Sequence, residues 1–308
     1  MNKQEAISIL KEHNQEHVIK RLEALGDDAA KKLISQVAMI DWKVVESIKD
    51  KAEDKGDAKK IEPLAAVEIN DIKKNKEKYT AKGVEAIKNG KVAAVLLAGG
   101  QGTRLGLDKP KGTLNVGVNK DLFLFGQLIH NLMDVVNQTG AWVPLYIMTS
   151  DKNNKDTVEF FEEHNYFGYD KDYVKFFIQS MVPSVDYNGK LYMESTESLA
   201  MSPNGNGGWF LSLIAAGLDK DMQHKGIEYV NVFAVDNILQ RIADPAFIGA
   251  TILAGAECGS KVVRKCEPAE KVGVMCRVNG HPSIIEYYEM SEELASLRRE
   301  DGELTYGF

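Results

Sequence analysis

The residues best suited to chemistry lie in one short, glycine-rich stretch that also carries cations. Residues 97–112 read L-A-G-G-Q-G-T-R-L-G-L-D-K-P-K-G, and the cations are Arg104, Lys109 and Lys111. Glycine allows positive φ and lets a ligand approach the backbone closely, so that successive N–H groups can converge on phosphate oxygens. The stretch therefore indicates an anion site. The purely structural alternative is a tight glycine turn whose cations are solvated.

The elements that must position this stretch alternate between strand and helix. The apolar run Val92–Leu97 directly precedes the glycines and predicts a fully buried parallel strand. Helical patterns follow at 122–136 and 154–164, and strand patterns at 143–148, 173–178 and 229–235. This rhythm predicts an α/β fold, a Rossmann-like doubly wound and mostly parallel sheet. Its ligand crevice is expected at the carboxyl ends of the strands.

The first 90 residues have a different character from the rest of the chain. Apolar residues recur there at helical spacing, as in Leu33, Val37 and Val45, and predict amphipathic helices. We therefore expect a helical N-terminal region over 1–90, acting as a structural cap or adaptor. The strand–helix alternation is then expected to form a second domain over 91–308.

Composition and charge narrow the class of protein. The chain has 308 residues, 44% of them hydrophobic and 27% charged, with a formal net charge of −7. This charge argues against a general nucleic-acid binder. No apolar run reaches the roughly 18 residues of a membrane span, and the N-terminus lacks a secretory h-region. The three cysteines lack C-x-x-C spacing, so we expect reduced thiols in a cytoplasmic protein without membrane or nucleic-acid partners.

Two common nucleotide-loop templates do not fit the glycine stretch. The dinucleotide fingerprint needs G-x-G-x-x-G, and Gly100, Gly102 and Gly106 miss that spacing by one residue. The P-loop ends in Gly-Lys-Ser/Thr, whereas this chain has Lys111-Gly112-Thr113. A dinucleotide oxidoreductase is therefore the weaker alternative.

A third template does fit. The motif G-G-Q-G-T-R-L-G followed by P-K-G resembles the signature of sugar-1-phosphate nucleotidylyltransferases. It is most similar to the UDP-N-acetylhexosamine pyrophosphorylases, which are relatives of UDP-glucose pyrophosphorylase. The glycine loop at 201–209 and the V-D-N at 235–237 resemble the same family, and the likeness covers about 91–302.

This resemblance implies a UTP-dependent sugar-1-phosphate uridylyltransferase, with 91–308 as its nucleotidyltransferase catalytic domain. Its partners are UTP, a sugar 1-phosphate, the UDP-sugar and pyrophosphate, with Mg²⁺ as cofactor. N-acetylglucosamine 1-phosphate is the expected sugar substrate, because N-G-G after Gly205 is similar to the N-acetylhexosamine branch. Glucose 1-phosphate stays open as an alternative, partly because Lys271 stands where relatives commonly have proline. A non-catalytic nucleotide-sugar binding protein also stays open.

The resemblance also implies roles for individual residues. As catalytic residues, Arg104 is expected to clamp the triphosphate and Lys111 to bridge the phosphates, while Asp236 holds the metal. The expected nucleotide-binding residues are Leu97, Ala98, Gly99, Gly100, Gln179 and Gly205. The expected sugar-binding residues are Asn206, Asn237, Gly273 and Glu286.

Three of these assignments have an ordinary structural alternative. Gln179 can donate and accept at once, which suits the imide edge of uracil, but it can equally be an exposed amide at a strand end. Asp236 follows a predicted strand and can hold Mg²⁺ or cap a turn. Glu286 can accept hydrogen bonds from sugar hydroxyls or simply face solvent.

Relatives continue beyond the position of Phe308 with further strands and a phosphate-binding lysine. We therefore expect the C-terminal portion of the family to be absent here, and the sequence leaves open whether the chain is truncated. On this expectation the chain binds UTP or a UDP-sugar but turns over slowly.

Overall fold

The computed structural model describes residues 1–53, 60–102, 106 and 108–308. The chain divides by its internal contacts into two compact units. The first consists of Met1–Glu53 with Val84–Asp244, and the second of Asp54–Gly83 with Pro245–Phe308. The division predicted from the sequence, 1–90 and 91–308, has different boundaries and stays a prediction.

Helices and strands alternate through most of the described chain. The helices are α1 (Lys3–Glu12), α2 (Glu16–Ala24), α3 (Asp27–Ala38), α4 (Trp42–Glu53), α5 (Ile69–Lys88), α6 (Leu124–Thr139), α7 (Asn154–Glu163), α8 (Trp209–Ala215), α9 (Leu218–His224), α10 (Pro245–Leu253) and α11 (Glu292–Ser296). The strands are β1 (Ile61–Pro63), β2 (Val92–Leu97), β3 (Leu145–Thr149), β4 (Val174–Ile178), β5 (Met181–Pro183), β6 (Met193–Ser195), β7 (Ser198–Leu199), β8 (Met201–Pro203), β9 (Tyr229–Ala234), β10 (Val274–Val278) and β11 (His281–Ile285). No helix within the described residues is long and apolar enough to cross a membrane.

A four-stranded parallel sheet forms the centre of the first unit. Its strand order is β4-β3-β2-β9. Leu97, at the end of β2, is in register with Met148 of β3 on one side and with Ala234 of β9 on the other. Since the strands end at the same level, the loops that follow them start from one edge of the sheet. The predicted α/β fold with a mostly parallel sheet is confirmed.

Helices cover both faces of this sheet. Phe177 of β4 packs in a buried cluster with Leu213 of α8 and Met222 of α9. Its neighbour Phe176 points to the other face, where its ring lies 5.5 Å from that of Phe161 in α7. Because successive strand residues face opposite sides, the buried Phe177 and the half-buried Phe176 pack against different helices. This is the doubly wound arrangement predicted from the sequence.

The N-terminal helices α1 to α4 form a second core within the same unit. Two buried glutamines connect it to the segment that contains β6 and β7. Gln15 donates to the carbonyl of Gly189 at 2.8 Å and accepts from the N–H of Leu191 at 3.0 Å. Gln36 accepts from the N–H of Leu199 at 2.8 Å. The helical prediction for this part of the chain is confirmed.

The second unit contains a three-stranded antiparallel sheet with the order β1-β10-β11. The strand β1 was not predicted, since three residues carry no recognisable alternation. It forms because Ile61 pairs with Val278 and Pro63 with Cys276, far along the chain. Tyr306 adds a hydrogen bond from its hydroxyl to the Ile61 carbonyl at 3.1 Å.

A polar network attaches α9 to the central sheet. The hydroxyl of Tyr146, a fully buried residue of β3, donates to Asp221 Oδ2 at 2.6 Å. Lys175 lies 2.7 Å from Asp221 Oδ1, and Lys225 lies 2.6 Å from Oδ2. Partial burial opposes ionisation of Asp221, but the hydrogen bonds from Lys175, Lys225 and Tyr146 outweigh it and hold the pKa of this carboxyl well below its usual range.

We expect Asp221→Asn to lower the free energy of unfolding at pH 7 by about 1–3 kcal/mol, the usual contribution of hydrogen bonds to charged groups. The sign of the pH dependence follows from the lowered pKa. The stabilisation is fully present above the ordinary value of 3.8 and is lost as the pH falls through the lower folded-state pKa. Urea unfolding at pH 7 and pH 3 measures both.

The matched control is Asp134→Asn, at an exposed position of α6. It should change the free energy of unfolding by less than about 0.5 kcal/mol at either pH. Equal stability of Asp221→Asn and the wild type at pH 7 would contradict a stabilising role for the network.

Candidate functional site

The glycine stretch begins as a continuation of the central sheet. Ala98, which is 2% exposed, donates its N–H to the carbonyl of Met148 at 2.8 Å. Further along, the N–H of Gly102 donates to the Lys109 carbonyl at 3.1 Å. The N–H of Lys111 lies 3.5 Å from the Gly100 carbonyl. The described parts of the loop therefore return on themselves beside the end of β2.

Three successive backbone donors at the start of this loop have no partner among the described residues. Within the described residues, the N–H groups of Gly99, Gly100 and Gln101 have no hydrogen-bond acceptor. Gly100 is exposed, and Gly99 and Gln101 are half-buried. Adjacent N–H groups of this kind bind anions or the carbonyl oxygens of a ligand.

Gln179 joins this first glycine loop to the second one. It follows β4, is 5% exposed, and donates its backbone N–H to the Thr149 carbonyl at 2.8 Å. Its Nε2 donates to the Gly205 carbonyl at 2.7 Å and lies 3.2 Å from the side-chain amide of Asn204. A Cβ on Gly99 would lie 2.6 Å from Gln179 Oε1, so Gly99 leaves room for this oxygen.

The amide of Gln179 is thereby fixed in one orientation. Its nitrogen is used by Gly205, while its oxygen has no donor within the part of the chain that the structure describes. An acceptor next to the free N–H groups of the first loop makes a combined donor and acceptor surface. Such a surface can recognise the edge of a planar polar ring.

In the second glycine loop, at 201–209, two positions require glycine for different reasons. Gly205 has a φ of 77°, in the left-handed region that favours glycine. Gly208 has no room for a side chain, because a Cβ there would overlap the side chain of Asn204. Asn206 lies between them and is exposed. The loop thus presents backbone and one free amide side chain.

Lys111 and Asp236 form an ion pair at the same edge of the sheet. Lys111 Nζ lies 2.8 Å from Asp236 Oδ1, and the two side chains are 25% and 62% exposed. Pro110 precedes the 3₁₀ turn Lys111–Thr113, and Gly112 packs against the Phe125 ring where a Cβ would overlap it. The P-K-G motif therefore holds its lysine on a closely packed turn.

The loop that carries Asp236 is held by a side chain of α6. Asn131 donates its Nδ2 to the carbonyl of Ile238 at 2.7 Å and to that of Gln240 at 3.3 Å. Asp236 and Asn237 themselves are exposed. The backbone around the carboxylate is therefore fixed, while the carboxylate is accessible to solvent.

A metal site built by the protein alone is not present among residues 1–53, 60–102, 106 and 108–308: no group of three or more acidic, histidine or cysteine side chains lies close enough. Mg²⁺ is commonly held by one or two carboxylates together with substrate phosphates. Asp236, an exposed carboxylate that pairs with Lys111 at the edge of the sheet where the first glycine loop starts, fits such a shared site. It does not fit a closed site without substrate.

The remaining predicted residues fall in different places. Arg104 lies outside the described residues. Gly273 and Glu286 belong to the second unit, where a Cβ on Gly273 would lie 3.5 Å from Glu286 Oε1. Glu286 is half-buried and donates its backbone N–H to Glu289 Oε2 at 3.1 Å. These two residues lie together, and their roles stay predictions.

The side chains that hydrogen-bond to these loops were not predicted from the sequence. Asn153, Asn131 and Asn204 each contact a loop that carries predicted site residues. Asn153 precedes α7 and has the pattern of an ordinary helix cap, while Asn131 lies within a helical pattern. The sequence contains no signal that distinguishes these asparagines from ones that only face solvent.

The family model described as UTP–glucose-1-phosphate uridylyltransferase matches residues 31–301. The chain belongs to this uridylyltransferase family. Among curated relatives, the yeast (Saccharomyces cerevisiae) UDP-N-acetylglucosamine pyrophosphorylase is 37% identical over 302 residues, which are 95% of this chain and 62% of the relative. The human UDP-N-acetylhexosamine pyrophosphorylase-like protein 1 is 44% identical over 237 residues, 75% of this chain and 47% of the relative.

The solved structures agree with the sequence comparison. A Trypanosoma brucei uridine diphosphate N-acetylglucosamine pyrophosphorylase has a TM-score of 0.85 and 30% identity, covering 100% of this chain and 65% of that one. The resemblance found from the motifs is thus confirmed for the family. The chain spans between 47% and 65% of the length of these three proteins.

The fit between Gly99 and Gln179 leads to a prediction about stability. Gly99→Ala should displace the Gln179 amide from Gly205 and lower the free energy of unfolding by about 1 kcal/mol, the net value of such a hydrogen bond. Gly100→Ala is the matched control, because a Cβ there meets nothing within 4 Å. Urea unfolding of both variants tests this, and equal stability would show that the contact is not tight.

Proposed function

We propose that the protein is a UTP-dependent uridylyltransferase that makes UDP-N-acetylglucosamine and pyrophosphate from UTP and N-acetylglucosamine 1-phosphate. The observation that carries this proposal is the common edge of the sheet. There the free N–H groups of the first loop, the oriented Gln179 amide and the Lys111–Asp236 pair all lie in one unit. Family membership and the names of the yeast and Trypanosoma brucei proteins support the same reaction.

The nucleotide half of the reaction is assigned to the two glycine loops. In this proposal the uridine contacts the backbone of Leu97, Ala98, Gly99 and Gly100. Gly205 contacts it from the second loop. Gln179 Oε1 would accept the N3–H of uracil, because the opposite end of its amide is occupied by the Gly205 carbonyl. Cytosine has no N3–H, so this acceptor favours uridine nucleotides.

The phosphate half is assigned to the cations. An oxygen of the sugar phosphate attacks the α-phosphorus of UTP in line, a new P–O bond forms, and the bond to the leaving pyrophosphate breaks. Such transfer depends mainly on positioning and charge neutralisation. Lys111 would exchange Asp236 for a phosphate oxygen, and Arg104 is proposed to clamp the triphosphate.

Asp236 is the residue proposed to hold Mg²⁺ together with phosphate oxygens. When bound, the metal supplies Lewis acidity and alignment of the phosphates. The 62% exposure of the Asp236 side chain makes its free oxygen accessible for this purpose. The backbone of its loop is fixed by Asn131, so the carboxylate needs only a side-chain rotation to leave Lys111.

In the first unit, the sugar half is assigned to Asn206 and Asn237; for Gly273 and Glu286, in the second unit, a sugar-binding role stays a separate proposal. Exposed amides suit hydroxyl and acetamido groups, and Glu286 can accept hydrogen bonds from hydroxyls. Glucose 1-phosphate is the second candidate substrate, because the description of the matching family names it. A cytoplasmic location, expected from the sequence, is part of the same proposal.

The experiment that tests the function measures UTP binding by calorimetry and pyrophosphate release with both sugar 1-phosphates, with Mg²⁺ and with a chelator. We expect UTP binding and Mg²⁺-dependent pyrophosphate release, faster with the N-acetylated sugar. Faster release with glucose 1-phosphate would select the second candidate. Binding without any release would favour a nucleotide-sugar binding protein.

Lys111→Ala should lower turnover about a hundredfold to a thousandfold, because a well-placed charge donor contributes about 3–4 kcal/mol to such transition states. The matched control is Lys120→Ala, at an exposed lysine in the same segment, which should keep wild-type turnover. A decrease of less than tenfold for Lys111→Ala would remove this lysine from the reaction.

Gln179→Leu should weaken UTP binding by about 1–3 kcal/mol and narrow the preference for UTP over CTP, since it removes the acceptor for N3–H. Calorimetry with the two nucleotides measures both effects. Gln223→Leu, at an exposed position of α9, serves as the control. An unchanged UTP-to-CTP ratio in Gln179→Leu would show that the base is read elsewhere.

A further inference from the structure

Asn153 makes unusual contacts for a residue at the start of a helix. It is the residue before α7 and follows the end of β3 by four positions. Asn at this position normally accepts a hydrogen bond from the first turn of its own helix. Here its side chain makes no such bond, and the residue is 0% exposed. The side chain is used for something else.

Its amide is directed to the first glycine loop. Asn153 Nδ2 donates to the carbonyl of Ala98 at 3.0 Å and lies 3.3 Å from that of Gly100. Its Oδ1 accepts from the backbone N–H of Ser150 at 2.7 Å. Both amide hydrogens and the oxygen are therefore engaged, and one buried side chain connects the loops that follow β2 and β3.

These bonds determine the direction of the free backbone donors. In a trans peptide the carbonyl and the N–H of one unit point in opposite directions. Ala98 shares its peptide unit with the N–H of Gly99, and Gly100 shares its unit with the N–H of Gln101. Since Asn153 holds both carbonyls, both N–H groups face away from it, where the described chain offers them no acceptor.

We propose that Asn153 is a positioning residue for nucleotide binding, which acts by aiming the Gly99 and Gln101 N–H groups at the ligand. This inference rests on the proposed function. An aspartate cannot replace the asparagine, because its carboxylate has no donor and would face two carbonyl oxygens. It would keep the acceptor for Ser150 and would suit the positive end of α7.

The test therefore compares Asn153→Asp with Asn154→Asp. The control places the same charge one residue along and keeps the oxygen that accepts from Thr149 Oγ1 at 2.7 Å. We expect Asn154→Asp to melt within a few degrees of the wild type and Asn153→Asp to melt lower, because its buried carboxylate faces two carbonyl oxygens. UTP binding is therefore compared at a temperature where circular dichroism shows every variant to be folded. UTP should bind at least tenfold more weakly to Asn153→Asp than to Asn154→Asp, and Asn153→Ala should show a similar loss without added charge.

Hydrogen exchange of the Ala98 N–H, which donates to the Met148 carbonyl, gives an independent readout when it is measured without ligand. Exchange should accelerate in both Asn153 variants and stay at the wild-type rate in Asn154→Asp. Wild-type UTP affinity or unchanged exchange in the Asn153 variants would overturn the inference. Failure of the wild-type chain to bind UTP would instead reject the proposed function, and with it the nucleotide role of Asn153.

Discussion

The structure depends on the parallel pairing of four strands that end at the same level. Parallel strands leave the backbone groups after their last residues close to one another and partly buried, and buried polar groups must be paired. Leu97, Thr149 and Ala234 end their strands side by side. Polar groups of the loops that start there are therefore paired with one another.

Side-chain amides add to the backbone hydrogen bonds in this pairing. Gln179 connects the end of β4 to Gly205, Asn153 connects the loop after β3 to Ala98, and Asn131 holds the loop after β9. An amide is uncharged and both donates and accepts, so it can be buried at much lower cost than a carboxylate or ammonium group. Asn153 in particular binds the carbonyls of Ala98 and Gly100, and the N–H groups of Gly99 and Gln101 have no acceptor among the described residues. The edge of the sheet is consequently rich in donors, as a site for phosphates and a planar base requires.

The sequence predicted the parts of this arrangement that depend on local pattern. The apolar run Val92–Leu97 is sufficient to predict a buried strand. The glycines and the P-K-G motif predict a loop in which several positions require glycine. The packing of Gly112 under Phe125 and the room that Gly99 leaves for Gln179 explain two of these glycines. Neither contact could be read from spacing, because each partner lies on another element.

The parts that were not predicted depend on contacts between distant segments. The strand β1 forms only because β10 offers it a partner, and the two compact units combine segments that are separated in the chain. Asn153 has the same local pattern as any helix cap, so its contact with the glycine loop is visible only in the fold. The sequence also placed Lys111 and Asp236 in one site without indicating that they pair directly.

The pairing of Lys111 with Asp236 has a consequence that follows from its exposure. Ion pairs at the surface contribute only about 0–1 kcal/mol, since water solvates both partners well when they separate. Asp236 is 62% exposed, so separation of this pair costs little. A lysine aligned with a developing phosphate charge is worth about 3–4 kcal/mol in such reactions. On the proposed function, the ion pair with Asp236 therefore opposes the exchange for a phosphate oxygen only weakly.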